Sequence, residues 1–149
     1  MRRALLVLLA LPLLLLAPRG AGAQDRGDAR LEGFVAQVTR LWEAEDAAGL
    51  AALTPSGGRM VLEVGGEAAG PVPERHAAAA LRALFADRES VSIRPTRITV
   101  SGGQPLQGFG ELAWVSRSRG VTVPQTSTVY VGVVWEGGGW RIRELRVLP

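Results

Sequence analysis

The sequence contains few side chains that could carry out acid–base chemistry. It has one histidine, His76, and one tyrosine, Tyr130. A histidine has a pKa near the range that a general base needs, and a phenol can donate a hydrogen bond to a ligand oxygen. Each also has an ordinary structural reading: a half-exposed histidine at the start of a helix, and a buried tyrosine with a protein partner.

Glu63 and Glu111 are acidic residues within predicted strands, where a pocket could raise the pKa of a carboxyl group. The alternative is that each lies on a solvent-exposed face and pairs with an arginine of a neighbouring strand, such as Arg97 or Arg141. No two acids have a spacing that by itself places them together as an acid–base pair. The sequence therefore assigns no catalytic residue.

The sequence has four tryptophans, and two of them are candidates to line a cavity. Trp42 lies on the first predicted helix and Trp114 lies in the predicted sheet, so both could face a common interior that favours a flat apolar ligand. Core packing is the alternative for both residues. The candidate ligand-binding residues are Trp42, His76, Trp114 and Tyr130.

Several classes of site are excluded by residue content. The chain has no cysteine, and one histidine with scattered acids does not make a zinc site. No acidic loop has the spacing of a calcium site, and the paired glycines read as hairpin turns, not as a phosphate-binding loop between a strand and a helix. We therefore expect no metal and no cofactor.

The charge of the chain is balanced once its first segment is set aside. All 17 basic residues are arginines, against 14 acidic residues, and Arg2, Arg3 and Arg19 lie in an apolar leader without acids. The remainder is therefore close to neutral. It carries no basic run that would attract nucleic acid or an anionic membrane, and we expect neither as a partner.

The leader has the order of a signal peptide. Arg2 and Arg3 precede an apolar run over Ala4–Ala17, and the segment ends in small residues at Ala23. The run has about 14 residues, fewer than the roughly 20 that cross a bilayer as a helix. We predict a signal peptide over 1–23, cleavage after Ala23, and a periplasmic or secreted product without a stable membrane anchor. A retained anchor is the alternative.

Three helices are predicted after the leader. A polar tether over 24–30 is followed by a single domain over 31–149, which opens with apolar residues at helical spacing from Leu31 to Trp42. Asp46 can cap a short second helix. An alanine-rich segment with one apolar stripe predicts a third. The second and third predicted helices span 47–53 and 74–88.

The rest of the domain is predicted to be β-structure, with most of its strands late in the chain. A short strand precedes the third helix, and four long runs separated by Gly-rich turns predict an antiparallel meander. Pro95, and a change of phase along the final run after Ile142, predict bulges that bend the sheet. The predicted strands span 59–64, 91–101, 108–118, 125–136 and 139–148.

This order of elements resembles the nuclear transport factor 2-like superfamily, which includes the SnoaL-like and ketosteroid-isomerase-like folds. The segments "FVAQVTRLWEAEDAAGLAALTPSGGRMVLEV" and "GGGWRIRELRVLP" look like its opening and its closing strand. "LTPSGGRMVLEVGG" and "ERHAAAALRALFADRESVSI" resemble small secreted bacterial members of a domain-of-unknown-function family. The resemblance implies an α+β, cone-shaped fold, in which a strongly bent antiparallel sheet wraps around three N-terminal helices and encloses a pocket.

This superfamily includes enzymes, transport adaptors and domains without known activity, so the fold alone does not decide the function. With few candidate catalytic groups, we expect an exported, non-catalytic domain that binds a small apolar ligand or an envelope protein. One alternative is a small cofactor-free isomerase, dehydratase or cyclase that uses His76, Tyr130 or a strand acid. Another is a module that forms a homodimer through its sheet face, with Trp135 and neighbouring valines as the apolar patch.

Overall fold

A computed structural model describes residues 21–149, which form three helices and one six-stranded sheet. Residues 1–20 of the predicted signal peptide lie outside the described residues. Cleavage of the signal peptide and export of the chain therefore stay predictions. The elements along the chain are α1 (Ala21–Glu43), α2 (Ala47–Ala51), β1 (Arg59–Glu63), β2 (Gly70–Pro73), α3 (Glu74–Asp87), β3 (Arg88–Gly102), β4 (Gln107–Ser118), β5 (Gln125–Glu136) and β6 (Gly139–Leu148).

Helix α1 begins earlier than predicted. Residues 24–30, predicted as a polar tether, are helical, because the stripe that faces the sheet extends back through Leu31 to Gly27. Gly27 is buried, and a Cβ atom there would lie 3.9 Å from the Leu106 side chain. The other two helices match their predicted positions to within two residues. Asp46 caps α2 as predicted, since its carboxylate accepts a hydrogen bond from the Gly49 N–H at 2.8 Å.

The sheet has the strand order β2-β1-β6-β5-β4-β3 and is mixed. The four long strands form the antiparallel meander that the sequence predicts. The expectation of a wholly antiparallel sheet is wrong at one place, because β1 pairs with β6 in parallel. The short strand β2 was not predicted, since its sequence, Gly-Pro-Val-Pro, reads as a break.

Bulges occur where the sequence predicts them. The pairing of β3 with β4 changes register between Pro95 and Arg97. The pairing of β5 with β6 changes register beside Gly132, where Arg143 is the extra residue on β6 and shifts the inward phase from Ile142 to Leu145. The cone shape of the whole sheet stays a prediction.

The core lies between α1 and one face of the sheet, which we call the inner face. The α1 residues Leu31, Val35, Val38 and Trp42 are fully buried against it. A Cβ atom at Gly108 of β4 would lie 2.8 Å from both the Leu31 side chain and the Thr99 carbonyl oxygen. Glycine at this position therefore allows α1 to lie directly on the sheet.

Candidate functional site

Two of the predicted ligand-binding residues, Trp42 and Trp114, lie together in the core. Their ring centroids are 5.2 Å apart in an edge-to-face arrangement, and Phe85 of α3 packs edge-to-face against both. Both tryptophans are fully buried. Side chains therefore fill the space between helix and sheet at this point, in agreement with the core-packing alternative.

The other two predicted residues lie elsewhere and apart from each other. His76 is exposed in the first turn of α3, where it lines a groove of about 280 Å³ with Glu67 and Val72. Tyr130 lies on the outer face of the sheet and stacks on Phe109, with the ring centroids 5.7 Å apart. The structure thus divides the four predicted residues among three places.

The strand acids lie on the outer face and have arginines close by. Glu63 pairs with Arg146 at 3.4 Å, so it has an arginine partner, although not one of the two that the sequence suggested. Glu144 also bonds to Arg146. Glu111 lies opposite Arg97 and Tyr130 in the strand register. For Glu63 this matches the alternative of paired charges on a strand face, whereas for Glu111 the structure gives only its position opposite Arg97.

The remaining two tryptophans form an open cleft, which we call the Trp135–Trp140 cleft. Trp135 at the end of β5 lies directly across from Trp140 at the start of β6, and their rings meet edge-to-face with centroids 5.4 Å apart. Helix α1 forms the other wall. The cleft has a volume of about 370 Å³ and is lined by Arg30, Gly33, Phe34, Gln37, Trp135, Gly138, Gly139 and Trp140.

Polar groups in this cleft accompany the aromatic surface. The Arg30 guanidinium carbon lies 5.5 Å from the centre of the Trp135 ring, within the range of a cation–π interaction. Trp140 is only 5% exposed, and its indole Nε1–H has no hydrogen-bond partner among residues 21–149. A Cβ atom at Gly33 would meet nothing within 4 Å, so this wall of the cleft is open.

Local sequence explains how these residues come together. Gly137 and Gly138 have positive φ angles of 59° and 80°, which glycine adopts without strain, and their tight turn places Trp135 and Trp140 opposite each other across the hairpin. Arg30 and Phe34 are four residues apart and therefore share one side of α1. The sequence signal for the cleft was thus the pair of tryptophans flanking a run of glycines.

Glu136, the neighbour of Trp135, ties the hairpin to the loop after α2. The Ser56 backbone N–H donates a hydrogen bond of 2.6 Å to the Glu136 carboxylate. Hydrogen bonding by Ser56, through its hydroxyl and its backbone N–H, lowers the pKa of Glu136, and the charge of Arg141 adds to this effect. Glu136 therefore holds its carboxylate form as a structural link beside the cleft.

Neither a metal site nor a membrane helix is found in residues 21–149. No group of three or more acidic or histidine side chains within this range could hold a metal ion. No helix of the same range is both long and apolar enough to cross a membrane.

The fold is that of a nuclear transport factor 2-like α+β domain, as comparisons with solved structures show. A putative dehydratase of the NTF2-like family from Streptomyces avermitilis aligns with a TM-score of 0.65 and 14% identity, over 84% of this chain and 96% of that one. A ketosteroid isomerase-like protein from Erwinia carotovora atroseptica gives 0.63 and 12%, over 83% and 95%.

A DUF4783 family protein from Bacteroides ovatus is similar in the same way. It aligns with a TM-score of 0.59 and 12% identity, over 74% of this chain and 89% of that one. No family model matches the sequence. No curated protein matches it either. At these identities the similarity establishes the fold alone, so the function must be argued from the site.

Proposed function

We propose that the protein is an exported, non-catalytic domain that binds a small, flat, mostly apolar molecule in the Trp135–Trp140 cleft. The cleft itself carries this proposal: it offers about 370 Å³ bordered by Trp135, Trp140 and Phe34, within the size range of small-molecule sites. Export to the periplasm or beyond rests on the leader over 1–23, with its arginines, apolar run and small-residue end.

The polar groups of the cleft narrow the chemistry of the ligand. Trp140 Nε1 is a buried donor, so it does not define the ligand by itself. Arg30, which lies on the face of Trp135, favours a ligand whose acceptor is negatively charged. A flat ring system with one acidic group fits the Trp135 ring and the Arg30 charge.

The enzyme alternative has less support from the geometry. Catalysis requires its acid and base groups to converge on one reacting centre. His76 lies at the start of α3, whereas Tyr130 and Glu111 lie on the outer face of the sheet. The names of the structural neighbours keep an isomerase or dehydratase as the alternative, but those side chains do not share a pocket here.

The test is a titration with anilinonaphthalene sulfonate (ANS), a flat aromatic molecule with an acidic group whose fluorescence rises in apolar clefts. Gly33→Leu places a side chain in the open wall of the cleft without removing any lining side chain. We expect saturable binding by the native protein and a loss of at least about tenfold in affinity for Gly33→Leu. Gly33→Ala is the matched control, since a methyl group leaves the cleft open.

Two results would contradict the proposal. One is a native protein that shows no saturable ANS binding. The other is a Gly33→Leu variant that binds as well as Gly33→Ala does. Circular dichroism and thermal unfolding of both variants show whether a loss of ANS affinity comes from the cleft or from a disturbed fold. Gly33→Ala should itself fold well, because alanine favours a helix more than glycine does.

The outer sheet face supports a second candidate function, association with another protein or a second copy. Arg97 lies over the Phe109 ring at 5.2 Å, and Phe109 stacks on Tyr130, which gives a partly exposed patch of aromatic and arginine side chains. Such residues are enriched at protein interfaces. Light scattering after gel filtration tests it: a monomer at every concentration, with no change on Tyr130→Ala, excludes the homodimer.

A further inference from the structure

The inner face of the sheet changes character at the end where β3 begins and β4 ends. Its buried positions are apolar over most of their length, but at this end Ser116 and Ser127 are buried and Ser90 is half-buried. Ser90 lies opposite Ser116 in the strand register, and Ser127 lies opposite Trp114. The strand register therefore places three serines near Trp114, and the Ser90 hydroxyl contacts its indole.

Arg88, the first residue of β3, brings a positive charge to this serine cluster. Its guanidinium carbon lies 4.6 Å from the centre of the Trp114 ring, and its Nη2 reaches the Ser127 hydroxyl at 3.4 Å. It makes no ion pair with any carboxylate of residues 21–149. Two neighbouring acids have partners other than Arg88: Glu45 accepts from Arg119 and from the backbone N–H of Ser90, and Glu89 pairs with Arg117.

The cluster has donors without acceptors. Arg88 Nε and the Ser116 hydroxyl are both buried and have no hydrogen-bond partner in the described part of the chain, and Ser116 is fully buried. The Ser90 hydroxyl is already an acceptor for Trp114 Nε1 at 2.7 Å. A buried donor without a partner is costly, and arginine donates only. The group that completes this cluster must accept hydrogen bonds and balance a positive charge.

We propose that Arg88, Ser116 and Ser127 bind a small monovalent anion beside Trp114. The Nε–Nη2 edge of the guanidinium and the two hydroxyls supply charge-assisted and neutral donors from different strands. Chloride and the carboxylate end of a small organic acid both carry one negative charge and accept hydrogen bonds, so they offer the same chemistry. This site is distinct from the Trp135–Trp140 cleft.

The experiment measures chloride binding to the native chain by the line width of the chloride NMR signal, and thermal stability at constant ionic strength with methanesulfonate as the replacing anion. Raising chloride from about 5 to about 200 mM should broaden the signal saturably and raise the Tm by about 2–4 °C. Arg88→Gln should abolish both effects. Arg94→Gln, which changes an exposed arginine of the same strand, should leave both unchanged.

The source of the anion is distinguished by repeating the series with acetate. A larger Tm increase with acetate than with chloride assigns the site to a carboxylate, and the reverse assigns it to a halide. If Arg88→Gln does not fold, Ser116→Ala provides the test, because it removes one donor and should weaken binding at least about threefold while the methyl group fills the same space.

Absence of chloride-dependent broadening and of any anion-specific Tm change in the native protein overturns the proposal, as does an effect that persists in Arg88→Gln. Either outcome would mean that ordered water completes the serine cluster.

Discussion

The two tryptophan pairs of this molecule have opposite surroundings. Trp42 and Trp114 are fully buried and pack edge-to-face against Phe85, so neither ring is accessible to solvent. Trp135 and Trp140 meet each other in the same edge-to-face manner, but Trp135 stays partly exposed and both border open space. Identical side chains are thus buried in the core in one region and border open space in the other.

The largest expected effect separates the two pairs by stability. Trp114→Ala removes a fully buried ring and should lower the free energy of unfolding by about 3–5 kcal/mol. Trp135→Ala removes a partly exposed ring and should cost about 1 kcal/mol. Urea unfolding of both variants measures the difference. Equal losses of stability in the two variants would contradict this comparison. So would a loss of ANS binding in Trp114→Phe together with unchanged ANS binding in Trp135→Ala.

A smaller effect tests how tightly α1 closes the interior. Gly108→Ala places a methyl group 2.8 Å from the Thr99 carbonyl oxygen, which cannot move without disturbing β3. We expect a loss of about 1–3 kcal/mol, measured by urea unfolding. Gly57→Ala, on a loop where a Cβ atom meets nothing within 4 Å, is the control. A Gly108→Ala variant as stable as this control would mean that the interior has room to spare.

A glycine-to-alanine change in the Trp135–Trp140 cleft should raise the stability of the protein instead of lowering it. Gly33→Ala adds a methyl group where nothing lies within 4 Å and replaces the glycine of an exposed helical position. It should stabilise the protein by about 0.5–1 kcal/mol, because glycine loses more backbone freedom on folding. Thermal unfolding measures the gain. Destabilisation would show that the wall of the cleft is packed.

The smallest effect concerns the link between the hairpin and the loop after α2. Because the folded-state pKa of Glu136 is lowered by Ser56, its bonds stabilise the protein above the unfolded-state pKa, and this contribution is lost as the pH falls through the folded-state pKa. Glu136→Gln should therefore make the fall of Tm below pH 5 shallower. Glu43→Gln, at an exposed position of α1, should leave that slope unchanged.

Most of the fold followed from local pattern. The four long strands and α3 begin and end close to their predicted residues, because alternation and helical periodicity are strong over ten or more residues. Strand β2 and the early start of α1 were not predicted, since Gly-Pro-Val-Pro and the polar segment before Leu31 have little apolar signal of their own. Both owe their structure to what they pack against.

The candidate site was predicted less well, for a physical reason. The sequence showed four tryptophans but not which pair would border open space, because that depends on the side chains that pack over them in the fold. Trp42 and Trp114 were the expected pair, whereas the structure leaves Trp135 and Trp140 beside open space. Arg88 gave no sign in the sequence, because an arginine at the end of a helix usually extends into water.

The parallel pairing of β1 with β6 also constrains the order of folding. Strand β6, the last described strand along the chain, lies inside the sheet between β1 and β5. The early strands β1 and β2 are therefore joined to β3, β4 and β5 only through β6. Without β6, the facing edges of β1 and β5 have no strand between them, and the sheet is not continuous. The six-stranded sheet can therefore be completed only after residues 139–148 have been added.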